Sequence, residues 1–301
     1  MGNPMYGQNK FDNTISGKGR LVKDGGIPLQ DSTGVAPVGG IVQPPYNIYR
    51  GAVESSSSIG YDFSDADPYT ESASQLFPLG STLNWGDRVF KYAQVDGAIT
   101  AGLCVQQPIL VGNHSQMSLT DAYAVTTSAT TVVSIETAGD TDLVANQYQE
   151  GYLYVNDGTG QGQSWKVISH PAHDHSGDPS CEITIQGKVS TALVASGTSQ
   201  ASLMENPYKD VIVAPVAETG AVVGVTVIDM TDDYYGWIQT KGPKAVLAAS
   251  TLVLGHNVVR NDTTTAGAVM ADAGDDLVQE IGTVMASVVV NAEYCMINLN
   301  I

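Results

Sequence analysis

Basic residues are scarce in this 301-residue chain, which has 13 Lys and Arg against 31 Asp and Glu and a formal net charge of −18. A protein that grips nucleic-acid phosphates needs a basic stripe. The densest basic cluster here is only Lys18, Arg20 and Lys23. We therefore expect no direct binding of nucleic acid. Anionic lipid headgroups would also repel such a surface, so the composition argues against a membrane-surface role.

Cysteine and long apolar runs are scarce as well. The three cysteines, Cys104, Cys181 and Cys295, are far apart and odd in number. This pattern predicts reduced thiols in a protein that folds in a reducing cytosol, rather than a disulfide framework. No stretch approaches the ~20 apolar residues of a membrane-spanning helix, and the first thirteen residues lack the apolar run of a signal peptide.

Helical periodicity is rare, whereas short alternating strands separated by Gly, Asn and Asp turns fill the chain from about Gly86 onward. Residues 88–95 alternate as a half-buried strand does, and Gly242-Pro243 predicts a tight turn after a strand at 235–240. Further strands are predicted at 102–106, 131–136, 152–156, 164–169, 181–186, 211–214, 221–228, 245–248, 257–260, 267–270, 281–290 and 294–299. Short helical turns are expected near 97–102 and 189–195.

This pattern predicts an all-β fold class. The body is expected to be a small β-barrel or sandwich formed by residues 78–113 plus 208–301. An inserted β subdomain is expected at residues 114–207, and a long extended N-terminal arm at residues 1–77.

The proposed arm, residues 1–77, lacks periodicity and is rich in glycine, proline and serine. This composition cannot readily close a hydrophobic core. Its aromatic residues would be costly on a random tail, so we favour an extended arm that becomes ordered on another surface, such as that of another subunit. The alternative is a disordered tail. The residues expected to contact a partner are Tyr46, Tyr49, Tyr61, Phe63 and Phe77.

The densest set of ligand-type side chains is the histidine loop, residues 170–181, with His170, His173 and His175 followed by Asp178 and Cys181. Imidazoles near a carboxylate can bind zinc. No second ligand pair occurs elsewhere, and prolines mark the segment as a loop, so the three histidines are metal candidates only. The favoured interpretation is a polar hairpin tip, and an acid-pH sensor is a further alternative.

Signatures of nucleotide binding and hydrolysis are missing. The glycine-rich residues 158–162 precede a predicted strand, whereas a dinucleotide fingerprint must open a helix. The chain has no GK[ST] loop, no nucleophile elbow and no H-E-x-x-H helix. The acid pairs Asp232-Asp233 and Asp275-Asp276 suit solvated turns better than glycoside cleavage. We therefore expect no enzymatic activity and no cofactor.

The order of several short segments resembles a family of tailed-bacteriophage virion proteins described as capsid, head-decoration or structural proteins. The matching blocks are residues 79–80 (LG), 84–93 (NWGDRVFKYA), 101–103 (AGL), 145–155 (ANQYQEGYLYV), 158–162 (GTGQG), 206–207 (NP), 224–225 (GV), 235–242 (YGWIQTKG), 281–282 (IG) and 293–299 (EYCMINL). The resemblance spans roughly residues 79–301, and the arm carries little of it.

The resemblance implies a decoration or cement protein that binds and stabilises the major capsid protein lattice of a tailed phage. It also implies a homo-oligomer, expected to be a trimer, on the capsid surface of the virion after synthesis in the cytoplasm of the host bacterium. Extended arms and repeated symmetric sites would add contact area and avidity. The family has no established catalytic residues to transfer.

Two other hypotheses stay open. A tail, fibre or vertex protein that binds a host-surface glycan would present an exposed aromatic platform, and Tyr46 and Tyr49 are compatible with one. A polysaccharide depolymerase of the tail commonly uses a long β-helix, and no rung-length repeat occurs in this sequence. Copy number in the particle would separate the first two hypotheses, and a glycan-release assay would identify the depolymerase.

Overall fold

The computed structural model describes residues 10–11, 21–22, 66–123, 131–137, 141–195, 198–274, 278–286 and 292–301. Over these residues the chain is all-β, as expected, with a 3-10 helix at Gly112–His114. The short helical turns expected near 97–102 and 189–195 are wrong. Glycine turns and the isolated bridges Ile99–Met230 and Tyr123–Leu193 occupy these stretches instead. No helix in the described ranges has the length and hydropathy of a membrane span.

The described part of the chain contains eighteen strands, numbered in chain order. They are β1 (Lys10–Phe11), β2 (Leu21–Val22), β3 (Thr82–Trp85), β4 (Arg88–Gln94), β5 (Cys104–Gln106), β6 (Met117–Leu119), β7 (Val132–Glu136), β8 (Tyr152–Gly158), β9 (Ser164–Ser169), β10 (Cys181–Ile185), β11 (Ser199–Met204), β12 (Ile212–Val213), β13 (Val222–Thr226), β14 (Tyr235–Leu247), β15 (Asn257–Arg260), β16 (Val269–Ala271), β17 (Glu280–Val284) and β18 (Tyr294–Asn300). β1 and β2 pair with each other as an antiparallel two-stranded sheet.

Strands β6 to β11 close into a barrel in the order β10-β7-β6-β11-β8-β9. Alternation places one side of each strand inside, as in β8, where Leu153 and Val155 are buried and Tyr154 is exposed. The apolar interior includes Ile135 and Ile183 from the neighbouring strands β7 and β10. All six strands lie between residues 117 and 204, within the range proposed for the inserted subdomain.

The strands on both sides of the barrel in the sequence form a ten-stranded curled sheet. Its main path is β12-β5-β13-β14-β18-β17-β15-β16, with β4 on β14 and β3 on β4. The sheet curls until its far end returns to β5, where the Cys104 N–H donates to the Gly267 carbonyl at 2.7 Å. Val225, Val246 and Ile297 belong to the core enclosed by this curl.

Strand β14 is a single strand of 13 residues, so the turn expected at Gly242-Pro243 is wrong. Gly242 has φ +86°, and the register against β4 shifts between Gln239 and Lys241. An added Cβ at Gly242 would collide with the Asp87 carbonyl oxygen. The glycine therefore permits a bulge, and the strand bends and continues instead of reversing. Beyond the bulge, β14 pairs with β18.

Candidate interaction surface

The histidine loop, residues 170–181, joins β9 to β10, and His170 turns into the protein with 4 % of its surface exposed. Its Nε2 accepts the Tyr148 N–H at 3.0 Å, and its Nδ1 lies 2.8 Å from the Pro171 carbonyl oxygen. Nε2 can accept only without a proton, so the ring is the neutral tautomer with hydrogen on Nδ1. Burial also lowers the pKa of His170. This imidazole is therefore a structural hydrogen-bonding group.

Tyr148 lies between His170 and a second buried imidazole, His114. The His114 Nδ1 lies 2.5 Å from the Tyr148 hydroxyl, and the ring centroids of the two residues are 5.5 Å apart. Burial lowers the pKa of His114 and raises the pKa of Tyr148. The three rings thus form a neutral polar network beneath the barrel wall, which fixes the connection between β7 and β8.

The other two histidines of the loop have different contacts. His173 is buried, with its Nδ1 4.0 Å from an Asp178 carboxylate oxygen, and the His175 Nδ1 lies 3.2 Å from the Thr137 hydroxyl. Among the described residues, no three His, Cys, Asp or Glu side chains are grouped so that they could hold a metal ion. The structure therefore does not bring His170, His173 and His175 together as a ligand set.

The cysteines are buried and unreactive in character. All three are free thiols, and burial raises the pKa of Cys104 to about 12 and that of Cys181 to about 11. A thiol with such a pKa is almost entirely protonated near neutrality, and the thiolate is the nucleophile. The glycine-rich residues 158–162 join β8 to β9, as the turn interpretation predicted.

The proposed arm contacts divide into two groups. Phe77 is 8 % exposed, and its ring centroid lies 5.1 Å from that of Tyr92 and 5.4 Å from that of Trp237. The Phe77 side chain is buried in the core of its own chain, so the structure places it in the body. Four of the five proposed contact residues lie outside the described residues: Tyr46, Tyr49, Tyr61 and Phe63.

Residues 66–79, which we call the anchor segment, run along the curled sheet before β3 begins. Ser72 and Tyr235 exchange both backbone hydrogen bonds, at 2.9 and 2.8 Å. The Glu71 carboxylate accepts the backbone N–H of Thr231 at 2.7 Å and the hydroxyl of the same residue at 2.8 Å. Together with buried Phe77, these bonds fix the segment to the sheet at successive points.

The anchor segment is also bonded to the barrel through Glu150. One Glu150 carboxylate oxygen accepts the Leu79 N–H at 2.8 Å, and the other accepts the Gln75 side-chain amide at 2.7 Å. The Asn206 amide donates to the Glu150 carbonyl at 3.0 Å. Since Glu150 precedes β8 of the barrel, the anchor segment contacts both β units.

Exposed apolar side chains group at one end of the curled sheet, and we call this group the apolar rim. Its members are Val253, Leu254, Met285, Tyr294 and Met296, which are 40 % to 60 % exposed. The backbone brings them together because the Met285 N–H donates to the Met296 carbonyl at 2.8 Å and the Gly255 N–H to the Val284 carbonyl at 3.0 Å. Exposed groups of this kind are typical of interaction surfaces.

The sequence analysis identified the histidine loop, but it missed Glu150, Asn206 and the apolar rim. Glu150 and Leu79 are 71 positions apart in sequence, so no local pattern indicates their contact. The members of the apolar rim come from three separate segments of the chain, so no local pattern indicates that they group together. Comparison with protein-family models, with curated proteins and with solved structures found no match to this chain.

Proposed function

We propose that this chain is a virion structural protein of a tailed phage, which binds and stabilises the major capsid protein lattice as a decoration or cement protein. The observation that carries the proposal is the anchor segment. A long N-terminal region enters the body at Ala66, and the next residues are fixed to both the curled sheet and the barrel. An arm that joins subunits needs a firm attachment to its own body, which we call the root. A weakly attached segment would detach from the body when the arm is pulled.

The strength of the root follows from its mixed chemistry. Burial of an aromatic side chain such as Phe77 contributes about 1.5–3 kcal/mol. The Leu79 N–H bond to Glu150 is partly buried and contributes about 1.5–3 kcal/mol, whereas the exposed bonds to Glu71 and from Gln75 contribute less. These contacts join the anchor segment to both the curled sheet and the barrel. A pulling force on the chain before Ala66 would therefore be shared between the two, rather than opening one pair of strands.

Surface chemistry gives further support. The apolar rim offers the body a contact surface of its own, besides any contact made by residues 1–65. The net charge of −18 favours solubility and opposes non-specific association of a protein made in many copies. The buried, protonated thiols and the neutral, hydrogen-bonded His170 have structural roles in the body.

The test is quantitative mass spectrometry of purified virions, giving copies of this chain relative to the major capsid protein. We expect a ratio near one, or a simple fraction set by the lattice. A handful of copies per particle would favour instead a tail, fibre or vertex protein that binds a host-surface glycan. Absence from every particle would overturn the proposal. Sedimentation of the purified chain tests the accompanying expectation of a homo-oligomer, with a trimer as the expected state.

A further inference from the structure

The curled sheet carries an open cleft of ≈ 490 Å³ bordered by β4, β13 and β14, which we call the basic cleft. The apolar lining comes from Val89, Val222, Val223, Tyr208 and Ile301, whereas Lys91 and Lys241 supply two ammonium groups. The volume lies within the ~300–1,000 Å³ that is typical of binding clefts. A site with apolar lining and two cations suits a ligand that has both apolar and anionic groups.

Among the described residues, the two lysines of the cleft have no carboxylate partner. The ion pairs among the described residues are His173–Asp178, Lys209–Asp210 and Arg260–Glu218. Neither Lys91 nor Lys241 takes part in one. Two such cations in a partly enclosed cleft produce a local positive potential.

Lys91 is held with part of its hydrogen-bonding capacity unused. Its Nζ donates to the Thr82 hydroxyl at 2.7 Å and to the Gly80 carbonyl at 3.3 Å, and it lies 5.9 Å from the centre of the Tyr208 ring. An ammonium group has three donors, so one remains for a ligand. Burial lowers the pKa of Lys91 because the charged ammonium loses contact with water. A ligand carboxylate next to it would stabilise the charged form again.

We propose that the basic cleft binds an extended acidic peptide segment of a partner protein. Its carboxylates would pair with Lys91 and Lys241, and an apolar side chain between them would contact the valines. Residues that alternate along an extended peptide point in opposite directions. Acidic side chains two positions apart would therefore reach the same wall of the cleft. This inference does not depend on the proposed virion function.

A peptide fits these observations better than a nucleic acid does. A phosphate backbone carries a charge on every nucleotide and requires many cations along its path, whereas the cleft offers two. The chain's net charge of −18 would repel a long polyanion outside the cleft. A short peptide brings only the few charges that the cleft can neutralise, and its apolar side chain uses the lining formed by Val222 and Val223.

The experiment measures binding of a fluorescently labelled peptide of alternating Glu and Leu to the full chain by anisotropy, at low salt and at high salt. The matched control peptide carries Gln at every Glu position. The variants are Lys91→Gln and Lys241→Gln, with Lys188→Gln as a control that removes one exposed lysine from the barrel. Lys241 is exposed, so its substitution tests the site even where Lys91→Gln disturbs folding.

We expect the Glu peptide to bind, with the dissociation constant raised about tenfold by Lys241→Gln and unchanged by Lys188→Gln. High salt should weaken binding, since the pairing is electrostatic and partly exposed. Equal binding of the Gln peptide would overturn the proposal, as would equal losses in Lys241→Gln and Lys188→Gln. No binding at ~1 mM protein, or tighter binding of a single-stranded oligonucleotide than of the peptide, would overturn it too.

Discussion

Replacement of Phe77 by alanine tests whether the anchor segment belongs to the folded body. Phe77 is 8 % exposed and packs against Tyr92 and Trp237, so the substitution removes buried aromatic surface and leaves a cavity. Buried Phe→Ala substitutions cost about 3–5 kcal/mol. The anchor segment lies at the edge of its core and can partly collapse into the space. We therefore expect the lower end of this range, about 3 kcal/mol.

Leu76→Ala is the matched control, because Leu76 is the adjacent residue and is 54 % exposed. Its backbone N–H donates to the Tyr92 hydroxyl at 3.1 Å, and alanine keeps that bond. The control should therefore change the free energy of unfolding by less than about 0.5 kcal/mol. The assay is urea unfolding followed by tryptophan fluorescence, which reports the region directly because Trp237 contacts Phe77.

An unchanged unfolding midpoint for Phe77→Ala would refute the placement of this residue in the core. A loss of partner binding at unchanged stability would instead favour the sequence-based expectation that Phe77 contacts another molecule. Separate unfolding of the barrel and the curled sheet would appear as two transitions, since Trp165 lies in the barrel and Trp237 in the sheet. The Phe77→Ala effect should then fall on the sheet transition.

Three further predictions concern the arm, a strand bulge and pH. Deletion of residues 1–65, which spares the anchor segment, should leave a folded body that no longer attaches to capsid shells; unchanged occupancy in a shell-binding assay would contradict the arm's role. Gly242→Ala should destabilise the protein far more than Gly86→Ala in urea unfolding, because both glycines have positive φ but only the Cβ at Gly242 meets the Asp87 carbonyl. The lowered pKa values of His114 and His170 mean that the unfolded chain takes up protons that the folded chain refuses as pH falls below about 6.5. Stability should therefore decline between pH 7 and pH 5.5 by up to about 1.4 kcal/mol per pH unit per histidine, and His170→Gln should reduce this slope in urea titrations; an unaltered slope would contradict the assignment.

Strands in which apolar and polar residues alternate could be predicted from the sequence. Strands whose buried positions hold polar residues could not. β18 alternates at every residue, with Cys295, Ile297 and Leu299 buried, and it was located almost to its ends. β11 was missed because its buried positions include Ser199 and Ser202. The Ser202 hydroxyl donates to the Asn156 side chain at 2.8 Å and accepts the Gln116 N–H at 2.9 Å. A serine satisfied in this way is buried on the face of β11 opposite the barrel core, without any hydrophobic signal.

The candidate surfaces were harder to predict than the strands, for a related reason. The histidine loop is contiguous, so its residues stand out together even though the structure gives them separate roles. The basic cleft combines Lys91 with Lys241, which come together only because β4 pairs with β14. The cleft was missed because no local pattern in the sequence indicates which strand pairs with β4.

Strand β4 connects the anchor segment to the basic cleft. Phe90 and Tyr92 belong to the same core as Phe77, whereas Val89 and Lys91, the alternate residues, line the cleft. The bulge at Gly242 lies beside the pairing of β4 with β14 and gives the strands a place to bend. One strand thus contributes both to the core that holds the anchor segment and to the cleft that we propose to hold a partner's acidic segment.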